Sequence, residues 1–178
     1  PGYHPAFKHI MPVRKEIGCR TLFNLLGPLL NPARPTHQLL GVGVPGFLTR
    51  MAQALSDTGV EKACVVHGAA GFDELTPFGV NNVVWVKDGW FREEELDPQA
   101  LGFEVSKPED VAVKDKEHAV AVLKELLAGE GPKAMQDMIV LNAGVCLHLL
   151  EDGLVLADAM DKAREALASG AGRKVLDA

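Results

Sequence analysis

From residue 38 the apolar positions fall into short units separated by turn residues. Residues 38–44, Gln-Leu-Leu-Gly-Val-Gly-Val, read as a buried strand. Residues 47–58 read as an amphipathic helix closed by Gly59, and residues 62–67 as a second apolar strand. Strand, helix and strand in that order predict a βαβ unit with a parallel pair. The Val-rich residues 82–87 predict another strand, and Asp88-Gly89 ahead of Trp90 and Phe91 predicts a tight turn into a hairpin or edge strand. Residues 93–116 mix Pro98, Pro108 and many acids, the composition of a surface excursion over the sheet. The last third changes to a helical period, with helices expected over 116–128, 133–150 and 154–169. The whole pattern predicts an α/β fold with a mostly parallel central sheet flanked by helices.

The first 37 residues are less regular. Phe7, Ile10, Met11 and Arg14 lie at helical spacing, but Pro12 interrupts them, so two short helical pieces are expected. An apolar run follows, Thr21-Leu-Phe-Asn-Leu-Leu-Gly-Pro-Leu-Leu-Asn-Pro32, broken at Gly27-Pro28. Such a pair either lets the backbone approach a small ligand or simply ends a helix, and periodicity does not choose between them. The opening Pro1-Gly-Tyr-His4 has no initiating Met, and the chain is expected to be cut from a longer polypeptide.

With 178 residues and 47% hydrophobic content, the chain has enough apolar material for one main unit with a real core. Its net charge is −6, from 18 Lys and Arg against 24 Asp and Glu, with no basic block. A nucleic-acid surface is therefore not expected. The apolar runs are too short to span a bilayer and no signal-peptide pattern opens the chain, so no membrane partner is expected. Cys19, Cys64 and Cys146 are an odd number without metal-ligand spacing, which favours reduced, buried thiols in a cytoplasmic setting.

Candidate chemistry concentrates in Gly71-Phe-Asp-Glu-Leu-Thr76. Asp73 and Glu74 follow the 62–67 strand, and ligands of open α/β sheets gather at the carboxyl ends of strands. Two neighbouring carboxylates there are suited to a hard cation such as phosphate-bound magnesium. The same dipeptide is also the ordinary composition of a solvated turn, and nothing else in the residues decides. Asn142, a polar amide within the apolar 133–150 segment, is expected to cap or link buried backbone. His67 closes a strand near the acids and is read as structural; the other histidines have no ligand-like spacing.

Several of these strings together resemble one family. His4-Pro-Ala6, Val13-Arg-Lys-Glu-Ile-Gly18, Arg20-Thr-Leu-Phe-Asn-Leu-Leu-Gly-Pro-Leu-Leu-Asn-Pro-Ala33, Val65-Val-His-Gly68, Gly71-Phe-Asp-Glu-Leu75 and Leu141-Asn-Ala143 are similar, in order, to segments of the C-terminal half of anthranilate phosphoribosyltransferases. The resemblance implies phosphoribosyl transfer from phosphoribosyl pyrophosphate to anthranilate in tryptophan biosynthesis, giving N-(5-phosphoribosyl)anthranilate. It implies that Arg14 engages the anthranilate carboxylate, Gly27 and Pro28 line the anthranilate tunnel, and His4 stands at its mouth. Asp73 and Glu74 would hold Mg2+ against the pyrophosphate. By position alone, Arg14 is a solvated helix residue and His4 a turn residue before Pro5.

The resemblance also implies a division at residues 1–33, a helical return segment belonging to an otherwise missing α-helical domain, and 34–178, most of the α/β domain. The family's Gly-Thr-Gly-Gly-Asp phosphate loop and its Lys-His-Gly-Asn segment do not occur here, and Gly41-Val-Gly43 is no substitute for them. His118 stands where family members often carry Asn. The chain is thus expected to carry half a site, inactive alone. Its implied partner is the missing N-terminal half, with a homodimer when complete. Two alternatives are a pyrimidine-nucleoside phosphorylase-like enzyme, which would need base recognition where Arg14 and Leu26-Gly-Pro28 stand, and a non-catalytic nucleic-acid-binding relative, which the charge disfavours.

Overall fold

The computed structural model describes residues 3–5, 7–18 and 23–178, apart from the side chains of Phe7, Met11, Arg14, Phe23 and Asn24. Strand β1 (His37–Gly41), helix α3 (Leu48–Asp57) and strand β2 (Lys62–His67) form the expected βαβ unit, β1 and β2 lying parallel with Leu39 opposite Cys64. Helices α1 (Phe7–Ile17) and α2 (Phe23–Leu26) precede it, and β3 (Asn81–Lys87) and β4 (Trp90–Leu96) complete a sheet of order β1-β2-β3-β4.

Beyond the first pair the sheet departs from the mostly parallel arrangement expected. β3 runs antiparallel to β2, and β4 antiparallel to β3, so the sheet is mixed. Parallel strands need a crossover long enough to carry the chain back, usually a helix. Residues 68–80 contain only a 3-10 turn at Ala69–Gly71, so β3 returns beside β2 in the opposite sense. Asp88 (φ 48) and Gly89 (φ 81) make the two-residue hairpin turn, both in the left-handed region that such a turn requires. β4 also takes in Arg92 and then Glu93, Glu94, Glu95 and Leu96, the start of the segment expected to be a surface excursion. As a solvated edge strand it buries only Leu96, and its charges oppose edge-to-edge pairing.

The strand alternation divides the core into two layers. Ala63, Val65, Val84 and Val86 face α3 with Leu40, Met51, Ala52 and Leu55. Cys64, Val66 and Val83 face the other way, onto Leu141, Val145 and Leu149 of α5 (Lys133–Leu150) and Met160 and Ala163 of α6 (Leu156–Ala168). Helices α4 (Lys116–Leu127) and α7 (Ala171–Leu176) pack at the periphery; α7 follows the Gly170 stop instead of ending the helical region there. Cys64 is a fully buried core residue and Cys146 is half-buried, while Cys19 lies outside the described residues. α1 is one helix rather than two pieces. Pro12 and Lys8, four residues before it, are both exposed, so the hydrogen bond lost there costs little burial. Among the described residues no helix is long and apolar enough to cross a membrane.

Candidate functional site

The carboxyl ends of β1 and β2 lie side by side. The Val42 N–H donates to the Val66 carbonyl at 2.8 Å, and His67 Nδ1 lies 2.8 Å from the Val42 carbonyl oxygen, a tie between strand ends that accounts for this histidine structurally. Residues 68–80 then fold back across both ends. Their path needs two glycines, because a Cβ on Gly41 would overlap the Asp73 carbonyl and one on Gly68 the Glu74 carbonyl. Ala70 (φ 59) and Gly71 (φ 83) reverse the chain, the Gly68 N–H donates to the Phe72 carbonyl at 2.8 Å, and the Phe72 and Phe78 rings meet edge to face at 5.2 Å.

Two asparagines then fix the loop. Asn81, fully buried at the start of β3, accepts from the Thr76 N–H at 2.9 Å and donates to the Thr76 carbonyl at 3.0 Å and the Gly79 carbonyl at 3.1 Å. Asn142, from the middle of α5, accepts from the Leu75 N–H at 3.1 Å and donates to the Leu75 carbonyl at 2.8 Å. It thus links backbone, as expected for it. Asn81 carries no motif and was not among the candidates; its legible signal is a polar residue opening an apolar strand.

Asp73 and Glu74 project from this fixed backbone into solvent. The Glu74 carboxyl is held above its ordinary value, first by partial desolvation, then by the negative charge of Asp73 and a hydrogen bond between the two side chains. Two like charges brought within hydrogen-bonding reach are suited to a cation. Among the described residues no third His, Cys, Asp or Glu joins them. Two carboxylates without a protein cage match magnesium, which is commonly held by one or two carboxylates and completed by phosphate oxygens and water.

Of the other candidates, Pro28 lies near the opposite end of β1. Pro28 opens a 3-10 turn at Pro28–Leu30 whose Leu29, with Leu25 before it, packs on the α3 side of the core, and Gln38 Nε2 donates to the Pro28 carbonyl at 3.3 Å. Gly27 has ordinary right-handed torsions, and a Cβ there would meet open space, so nothing described in this chain requires a glycine at that point. His4 is half-buried beside Tyr3, which lines a shallow depression with Asn31, Pro32 and Ala33. Arg14 falls within α1, but its side chain lies outside the described residues. Gln38 and Gly41, the anchors of the two groups, are three residues apart on β1, roughly 10 Å along the strand.

An acidic loop locked over the carboxyl ends of a parallel strand pair defines an α/β domain of the kind that meets polar ligands at its strand ends. The chain belongs to the glycosyl transferase family, a/b domain, which it matches over residues 1–173. It is 55% identical over 178 residues to the anthranilate phosphoribosyltransferase of Oleidesulfovibrio alaskensis, a match covering all of this chain and 54% of the relative. The enzyme of the same name from Nitratidesulfovibrio vulgaris is also 55% identical, over 183 residues, with the same coverage. Among solved structures, the anthranilate phosphoribosyltransferase of Thermus thermophilus superposes with a TM-score of 0.88 at 39% identity, covering 98% of this chain and 51% of that one. The Saccharomyces cerevisiae enzyme in complex with PRPP and Mg gives 0.83 at 29% identity, covering 98% and 50%. The chain spans about half the length of the curated relatives it matches.

Proposed function

We propose that the complete protein transfers the phosphoribosyl group of phosphoribosyl pyrophosphate to anthranilate, giving N-(5-phosphoribosyl)anthranilate for tryptophan synthesis in the cytoplasm. This chain contributes the aromatic-acid side and one metal position. The observation that carries the reading is the Asp73–Glu74 pair, crowded together on a loop locked over the strand ends, in a chain 55% identical to two enzymes of that name.

Asp73 and Glu74 would hold magnesium, which, bound with the donor, would supply positive charge to its pyrophosphate leaving group. Arg14 orients anthranilate by a two-pronged contact with its carboxylate. Gly27 and Pro28 leave room for the flat ring, for which the open space over Gly27 is the supporting observation, and His4 stands at the tunnel mouth. The amine of anthranilate is already neutral at pH 7, so positioning and electrostatics carry the rate.

Residues 1–33 serve as the return segment to a helical domain in the rest of the protein, and 34–178 as most of the α/β domain; the exposed Val13 and Ile17 of α1 support that assignment. The uncharged outer edge of β1, in contrast to the charged edge at β4, is where the rest of the sheet would join. The complete protein forms a homodimer.

The test is a transfer assay on the full-length protein with anthranilate, donor and Mg2+, comparing wild type with Asp73→Asn. The variant is expected to need about 10-fold or more Mg2+ for half-maximal rate, on the scale of a lost metal contact. An unchanged Mg2+ requirement rejects the ligand assignment, and no transfer by the wild type rejects the function.

A further inference from the structure

Asn142 sits on the rigid α5 and makes both of its contacts to the acidic loop with one residue, Leu75, immediately after Glu74. Its Nδ2 also donates to the Met138 carbonyl one turn back on the same helix, at 2.8 Å, which fixes the amide's orientation. The paired contact imitates a strand ladder where no strand is present. Leu75 is fully buried, so without Asn142 its N–H and carbonyl would lose partners where water is scarce. On the far side Asn81 holds Thr76 in the same two-handed way.

Leu75 is bonded directly to Glu74, with Cα atoms about 3.8 Å apart, so a shift of the Leu75 backbone displaces the Glu74 backbone beside it. We propose that Asn142 is a positioning residue for the acidic pair: by clamping the Leu75 backbone to α5 it sets the height and spacing of the Asp73 and Glu74 carboxylates over the strand ends. The proposal rests on the reading of these two acids as magnesium ligands. It goes beyond that reading by assigning the metal site's geometry to a helix 67 residues further along the chain.

In the full-length protein the Mg2+ dependence of donor binding, followed by calorimetry, separates positioning from general support of the fold. Asn142→Ala is expected to raise the Mg2+ concentration for half-saturation about 10-fold, the low end for loss of a residue that orients metal ligands, with little change in the KM for anthranilate. Asn142→Asp keeps an acceptor for the Leu75 N–H but loses both donations, and is expected to shift the Mg2+ requirement in the same direction. It carries the comparison if the alanine variant does not fold. Leu149→Ala, a core truncation seven residues beyond Asn142 on the same helix that removes no hydrogen bond to the loop, is expected to lower the melting temperature and leave the Mg2+ requirement unchanged. A shift with Asp73→Asn but none with either Asn142 variant overturns the positioning role alone. No shift with Asp73→Asn overturns the metal reading and the proposal together. An equal shift with Leu149→Ala overturns the proposal in favour of general loosening.

Discussion

Gly41→Ala is the sharpest single perturbation available. In a strand, alanine is normally the better residue by about 0.5–1 kcal/mol, so a neutral site would be stabilised. Here the new methyl would overlap the Asp73 carbonyl and lie 3.2 Å from Asp73 Cα, and backbone cannot rotate aside as a side chain can. Restoring an ordinary contact of about 3.5 Å moves the Asp73 carbonyl by roughly 2 Å. Overpacking of this kind costs about 1–3 kcal/mol, and after the strand preference is credited the net loss is at most about 2.5 kcal/mol. For a chain of this size that is a fall in Tm of at most about 10 °C, well within what a domain with the usual 5–15 kcal/mol of stability survives. The consequence for the site is larger, since a misplacement of about 1 Å costs on the order of 100-fold in rate. The full-length variant should thus stay folded by calorimetry, bind anthranilate normally, and lose about 100-fold in Mg2+-supported transfer. Gly68→Ala should behave alike through the Glu74 carbonyl. Wild-type Mg2+ dependence and turnover in Gly41→Ala would refute the claim that this glycine sets the height of the acidic loop.

Arg14→Ala in the full-length protein should raise the KM for anthranilate at least 10-fold while leaving that for the donor within about twofold, and equal effects on both would reject the carboxylate role. Burial, then the neighbouring Cys146 and Glu94, push the Cys64 thiol far above its ordinary value, so the native state keeps its proton where the unfolded chain releases it. The stability this contributes is fully present below the ordinary thiol value near 9.0 and is lost as pH rises above it. Urea titrations from pH 7 to 10.5 should show an alkaline loss that is smaller in Cys64→Ala, and equal losses in the two proteins would reject the linkage.

The βαβ unit was legible because each of its boundaries carries a local cause: apolar runs in 38–44 and 62–67, a helical period between them, and Gly59 as the stop. The direction of β3 was not. A Val-rich run with both faces buried reads alike in a parallel or an antiparallel neighbour, and the sense is set by whether the preceding connection contains a helix. β4 was only partly legible for a related reason. Glu93 faces α3, where it accepts a hydrogen bond from Thr49 Oγ1 at 2.7 Å, and Glu94 lies on the opposite face, taking the Trp85 indole N–H at 2.8 Å. With polar partners on both faces, the alternation that marks a half-buried strand never appears in the residues.

The acids themselves could be read from the sequence, but their meaning could not, because a solvated turn and a metal site have the same two residues. The difference lies in restraint. In a solvated turn the carboxylates are free to splay apart and hydrate separately, and neither is pushed from its ordinary value by the other. Here Gly41 and Gly68 admit the backbone over the strand ends, Asn81 and Asn142 pin the next two residues, and Glu74 holds its proton more tightly, first through partial desolvation and then through the neighbouring charge of Asp73. None of the four framing residues has chemistry of its own, and Asn142 reaches the loop from 67 residues away, so no local window could contain the arrangement. A frame that keeps like charges together costs stability wherever both are ionised, and a divalent cation placed between them removes that cost. That is the physical argument behind the metal site proposed at these two acids, and it does not draw on the family resemblance.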